Sequence, residues 1–131
     1  MKIKTRQQNF PRKEKLKSRK VIQEMFTEGS SVFSYPFKLY YLPSSQSSET
    51  TSFVYPEFLV SVSKRNFKHA VDRNRIKRMI RENYRLHKAI LEESGTSLHA
   101  IGVVYVGKKI EPFDLMDRKL RKLLYTLGEK A

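Results

Sequence analysis

The chain has no cysteine. That excludes disulfides and cysteine-based zinc sites, and it fits a reducing cytoplasm, where the protein is expected to reside. Acids are scarce: 13 Asp and Glu stand against 27 Lys and Arg. No pair of carboxylates is set apart as a general acid/base couple. No apolar run approaches the roughly 20 residues needed to cross a bilayer. The start, "MKIKTRQQNFPRKEKLKSRK", is basic but lacks the apolar core of a secretory signal. Neither export nor membrane insertion is expected. Glycine-rich phosphate loops and Ser/His/Asp patterns are also missing. His69, His87 and His99 are scattered without metal-ligand spacing, and His87 reads as a margin residue of a helix. If the chain belongs to an enzyme, another component is expected to carry the chemistry.

What the chain does have is length for one modest core and a formal net charge of +14. Such an imbalance speaks of partners rather than of fold, and polyanions are the natural ones: RNA, DNA or an anionic membrane surface. The plain alternative is a well-solvated basic surface, which rarely needs so one-sided a balance.

Residues 1–15 read as a basic flexible arm and 16–131 as one domain. Ser18 is placed to N-cap a short helix carrying Val21, Ile22, Met25 and Phe26, with Gly29 as its stop. "SVFSYPFKLYYL" reads as one strand and "FVYPEFLVSVS" as a second, with Pro56 at a strand start or an edge. The polar stretch between them, within residues 43–57, reads as a flexible hairpin loop. Alternation puts Phe33, Tyr35, Phe37, Leu39 and Tyr41 on one face of the first strand, with Lys38 and Tyr40 opposite. In the second, Phe58, Val60 and Val62 oppose Ser61 and Ser63. The more polar side is open either to water or to a ligand.

"KRNFKHA" is a basic loop leading to a helix expected from Asp72 to Glu93. "LHAIGVVYVG", nearly all apolar, is expected to be a central strand. Asp114 reads as the N-cap of a last helix, with Asp117 at the capping-box position. Leu115, Met116, Leu120, Leu123, Leu124 and Leu127 form its buried stripe, and Gly128 its end. The fold class is α+β, a small sandwich in the order α-β-β-(β)-α-β-α, with the helices covering one face of the sheet.

On a helical wheel, Ile76, Met79, Ile80, Leu86, Ile90 and Leu91 form a core stripe with Tyr84 at its margin. Arg73, Lys77, Arg81 and Lys88 cluster on the adjacent arc, widened by Asn74, Arg78 and Arg85, while Arg75 lies nearer the far side. Glu82 is the main acid among them. Like charges one turn apart repel by a few tenths of a kcal/mol per pair, on the order of 0.2–0.5. An outside polyanion would supply the missing negative charge, and arginine is suited to forked phosphate contacts. Asn74, a poor helix former in the first turn, either ties down the preceding loop or faces RNA.

The stretch "SVSKRNFKHAVDRNRIKRMIRENYR" resembles the signature of the protein subunit of bacterial ribonuclease P. The matching core is Arg73, Asn74, Arg75, Lys77, Arg78 and Arg81, following a strand that ends in "SVSK". The likeness runs from about Leu16 to Leu127, through "VIQEMFTEGSSVFSYPFKLYYL" and "AIGVVYVGKK". It implies a fold like domain 2 of ribosomal protein S5, with a left-handed βαβ crossover. It implies a subunit of the endonuclease that removes the 5′ leader from precursor tRNA, in which an RNA subunit performs the Mg²⁺-dependent hydrolysis and the protein holds no metal of its own. The implied partners are ribonuclease P RNA and precursor tRNA, with no membrane. Lys64 and Arg65 join the Arg-Asn-Arg helix on the RNA-binding side. A cleft for the single-stranded leader is implied at Ile22, Phe26 and Tyr40, and by alternation Lys38, Ser61 and Ser63 share its face. From the residues alone, Phe26 reads as core packing. Many members carry an aromatic where this chain has Ile22, and the loop "KRNFKHAVD" is a residue longer than the common form and lacks its glycine. A non-enzymatic RNA-binding protein, such as a ribosomal component, fits the composition equally well. A DNA-binding regulator fits less well, since the basic helix has no helix-turn-helix neighbour.

Overall fold

The computed structural model describes residues 14–44, 55–95 and 97–130. Helix α1 spans Arg19–Glu28. The Ser18 hydroxyl accepts from the Val21 N–H at 3.3 Å, and the Gly29 N–H donates to the Met25 carbonyl at 3.0 Å. A Cβ on Gly29 would overlap that carbonyl oxygen and come within 2.8 Å of the Tyr41 oxygen. Glycine stops this helix for want of space, since its φ is −75° and not left-handed.

The segment expected to be one strand is two, β1 (Ser30–Ser34) and β2 (Phe37–Pro43), paired antiparallel. The turn is Tyr35–Pro36, joined by a cis peptide. Proline cannot donate to a ladder and suits a turn. Folding the segment back reverses one assignment. Phe33 pairs with Lys38 rather than sharing a face with Phe37, while Val32 pairs with Leu39 on the core side.

β3 (Glu57–Val62) and β4 (Leu98–Tyr105) complete the sheet in the order β1-β2-β4-β3. β4 is central and almost wholly buried, as its continuous apolar run requires. The hairpin expected between β2 and β3 does not exist, because β4 lies between them; residues 45–54 of that connection fall outside the described residues. β3 and β4 are parallel, so the chain must cross over between them. It does so through α2 (Ala70–His87) and α3 (Ala89–Ser94).

The single helix expected for that crossover breaks at Lys88, which is fully buried rather than part of the basic arc. Its Nζ lies 2.7 Å from Glu14 Oε1 and 4.4 Å from the Tyr55 ring centroid. Gly95, at φ 73°, ends α3 in the left-handed region that glycine tolerates best. Tyr84 also differs from expectation: it is buried and stacks on Phe58 at 3.9 Å.

α4 runs Phe113–Lys130, past Gly128. Asp114 lies inside its first turn instead of capping it. Asp117 Oδ1 meets His87 Nε2 at 2.5 Å, a tie between α4 and α2 rather than a capping box.

The main core joins Val32, Phe37, Leu39, Val60 and Val103 of one sheet face to Ile76, Ile80 and Tyr84 of α2 and the leucine stripe of α4. The helices do not all cover this face. α1 sits on the other one, where Met25 packs with Leu16, Leu42 and Ala100. Glu14 and Lys15, expected in the arm, belong to the fold: Lys15 bridges to Phe58, and the Leu16 N–H donates to the Phe58 carbonyl at 2.9 Å.

Candidate nucleic-acid interface

Beyond β3 the chain makes a tight basic loop held at several points. The Ser63 hydroxyl accepts from the Arg65 N–H at 3.0 Å, and the Ser63 carbonyl accepts from the Phe67 N–H at 3.1 Å. Phe67 is buried, with its ring tilted against Tyr105. Arg73 Nη1 donates to the carbonyls of both Phe67 and Lys68 at 2.8 Å. The anchoring weighed for Asn74 is therefore done by its neighbour, and Asn74 is left exposed. With the loop pinned from inside, Lys64, Arg65 and Lys68 are all exposed.

On α2, Arg75, Arg78 and Arg81 are exposed and Lys77 is half-buried. None of the four makes a hydrogen bond or ion pair to any described residue. Glu82, the acid on this side, is already engaged: Arg85 Nη2 donates to it at 2.6 Å. That hydrogen bond holds the Glu82 carboxyl below the usual carboxylate range. The outward ridge is thus left positive, with no acid among the described residues paired to it and an external anion free to do so.

The opposite face of the sheet carries a second surface. Register places Phe33, Lys38, Val104 and Ser61 in one row across the four strands, and Ser31, Tyr40, Gly102 and Leu59 in the next. α1 lies over the second row. A Cβ on Gly102 would run into the end of the Met25 side chain and touch the Phe26 ring at 3.5 Å, so glycine lets the helix settle there. Phe26 then meets Tyr40 edge to face, with centroids 4.7 Å apart and planes at 69°. Lys38 Nζ stands 5.2 Å from the Tyr40 centroid. Ile22 packs beside them, half-buried. The first row is not covered by α1, and Lys38, Val104 and Ser61 are only half-buried.

Of the residues expected in a cleft, Ile22, Phe26, Lys38, Tyr40 and Ser61 come together on this face. Ser63 stands past the end of β3 with its hydroxyl committed to the loop. Phe33, 62% exposed, escapes the sequence reading, because one long strand puts it on the core side. Pro36 is the signal that could have placed it.

The two surfaces adjoin. The open row lies near the end of the sheet where β3 runs into the basic loop and α2. What the arrangement offers is stacking, hydrogen bonding and positive charge. Among the described residues no group of three or more His, Asp or Glu is placed to hold a metal, and no helix is long and apolar enough to cross a membrane.

A family model described as Ribonuclease P matches residues 10–128. The chain is 34% identical over 118 residues to a ribonuclease P protein component of Porphyromonas gingivalis, covering 88% of this chain and 83% of that one. It is 32% identical over 124 residues to that of Dictyoglomus thermophilum, covering 94% and 92%. Among solved structures, an RNase P protein of Staphylococcus aureus superposes with a TM-score of 0.66 at 27% identity, over 86% of this chain and 94% of that one. One from Thermotoga maritima gives 0.68 at 22% identity, over 86% and 96%, a likeness of fold.

Proposed function

Since the chain belongs to the ribonuclease P protein family, we propose that its two adjoining surfaces divide the work of that subunit, the arginine ridge binding ribonuclease P RNA and the aromatic cleft binding the 5′ leader of precursor tRNA. The family is the protein component of an endoribonuclease, and its partner is the ribonuclease P RNA. In this reading the protein works beside that RNA in the cytoplasm, and the hydrolysis and its Mg²⁺ belong to the RNA. The observation that carries the reading is the set of arginines Arg75, Arg78 and Arg81, exposed and unengaged by any described residue, beside a cleft that joins rings to a cation.

The physics of each surface suits its role. Two large polyanions repel each other, and fixed cations between them lower the Mg²⁺ needed to hold them together. Arg75, Arg78 and Arg81, with Lys64, Arg65 and Lys77 at their flanks, supply such charge on a rigid helix and a pinned loop. The cleft acts on a different quantity. A leader is present in the precursor and absent from the mature product, so contacts made only to the leader favour substrate over product. Rings that present faces or edges to bases hold a single strand with little regard to sequence, and Lys38 adds backbone charge.

The test is cleavage of labelled precursor tRNA at low Mg²⁺ by a bacterial ribonuclease P RNA, with no protein, with this protein, and with an Arg78→Ala, Arg81→Ala variant. Arg73 is left intact because it holds the loop. Cleavage is expected only with RNA and wild-type protein together, and to fall with the variant. No enhancement over RNA alone, despite tight RNA binding, would overturn the reading.

A further inference from the structure

We infer that Phe33 is an additional base-stacking platform that lengthens the leader cleft to the edge of the sheet, an inference that rests on the leader-binding role proposed above. Phe33 is the most exposed aromatic ring among the described residues, at 62%. Nothing in the core asks for it there: its strand neighbour Val32 supplies the buried contact of β1, and Phe33 points to the other face. Edge strands are ordinarily blunted by charge or polarity, and a bare phenyl ring on one is a liability unless it has a use.

Its surroundings say what kind of use. Phe33 is the direct cross-strand partner of Lys38, whose ammonium also lies near the Tyr40 ring, and Tyr40 in turn meets Phe26 edge to face. Ring, cation and ring therefore follow one another across the same sheet face, Phe33 and Lys38 in the row that α1 leaves uncovered and Tyr40 at the edge of the helix. A protein partner docking on apolar surface alone would find the ammonium group in its way. A single nucleic-acid strand uses both features, stacking bases on the rings and setting phosphates near the cation. From Ser61 on β3 to Phe33 on β1 the row crosses three inter-strand steps, about 14 Å at ordinary spacing. The basic loop and α2 lie at the Ser61 side, so Phe33 takes the leader base farthest from them.

The experiment measures affinity of the reconstituted holoenzyme, protein plus a bacterial ribonuclease P RNA, for precursor tRNAs whose leaders lengthen one nucleotide at a time. Wild type, Phe33→Ala and Phe33→Tyr are compared, with urea midpoints confirming that the exposed substitutions leave folding intact. Phe33→Ala is expected to lose about fivefold or more in affinity for long leaders and nothing for the shortest, the value of one stacked base. Phe33→Tyr is expected to keep the wild-type profile. Equal affinities for wild type and Phe33→Ala at every length would overturn the inference while leaving the cleft proposal standing. So would an equal loss at every length. A wild-type holoenzyme indifferent to leader length would overturn both.

Discussion

Arg73 and Arg78 lie on the same helix and in the same motif, yet only Arg73 is engaged within the fold. Arg73 spends its guanidinium on two loop carbonyls, whereas Arg78 makes no hydrogen bond or ion pair with any described residue. Arg78→Ala is therefore expected to leave the urea midpoint within about 0.5 kcal/mol of wild type. It should also flatten the salt dependence of RNA binding by about 0.7–0.9 for each phosphate that is no longer neutralised. Arg73→Ala should lower stability as well, by about 1–3 kcal/mol, since two loop carbonyls lose a charged donor. Equal stability of the two variants would contradict this division. Lys88 sets a different case. Its ammonium and the Glu14 carboxylate are nearly excluded from water, at 1% and 9% side-chain exposure. Lys88→Ala leaves that carboxylate without its partner and is expected to cost about 3–5 kcal/mol in urea unfolding. On a helical wheel Lys88 looks like one more member of the basic arc. Only burial separates it from Arg81, and burial depends on residues as far along the chain as Glu14 and Tyr55.

Among the elements, α1 depends on two glycines that do different things. A methyl on Gly29 would meet backbone oxygens of Met25 and Tyr41, which cannot move without unseating the helix end from β2. A methyl on Gly102 would meet the flexible end of Met25. Gly29→Ala is expected to cost more than Gly102→Ala in thermal or urea unfolding, with overpacking in the range of about 1–3 kcal/mol. Gly102→Ala should instead show itself in function. By pushing Met25 and Phe26 off the sheet it should weaken leader binding while RNA affinity holds. Loss of both affinities together would argue that α1 also supports the arginine ridge. Gly29 was legible as a helix stop from its place after an apolar stripe. Gly102 was not, because a glycine inside an apolar strand acquires its meaning from the helix laid over it.

For the molecule as a unit, three phenols withdrawn from water set an alkaline limit. Burial pushes Tyr105 up to about 12 from its ordinary 10.0. It also raises Tyr84 and Tyr55, aided by the nearby carboxylates of Glu14 and Glu92 respectively. The unfolded chain ionises these groups near the ordinary value and the folded chain does not. Their contribution to stability is complete below that value and is lost as pH rises through the folded one. Urea midpoints should hold steady up to pH 10.0 and decline toward about 12, less steeply in Tyr105→Phe. A decline beginning near neutrality would point to a different group. The same molecule carries +14 charges, so its RNA complexes should weaken steeply with salt while its own fold responds little.

Charge imbalance, the order of helices and strands, the central apolar strand and the arginine motif are local properties, set by the order of residues alone. Each is written in composition or in periodicity over a few turns of chain. The insertion of β4 between β2 and β3 and the placement of α1 on the face away from α2 and α4 emerge only when the elements pack. They depend on which surfaces meet, and an alternating pattern names two faces without saying what covers either. That is why the ridge could be read directly from the arginines. The cleft needed the fold before Phe33 could be seen beside Lys38 and Tyr40.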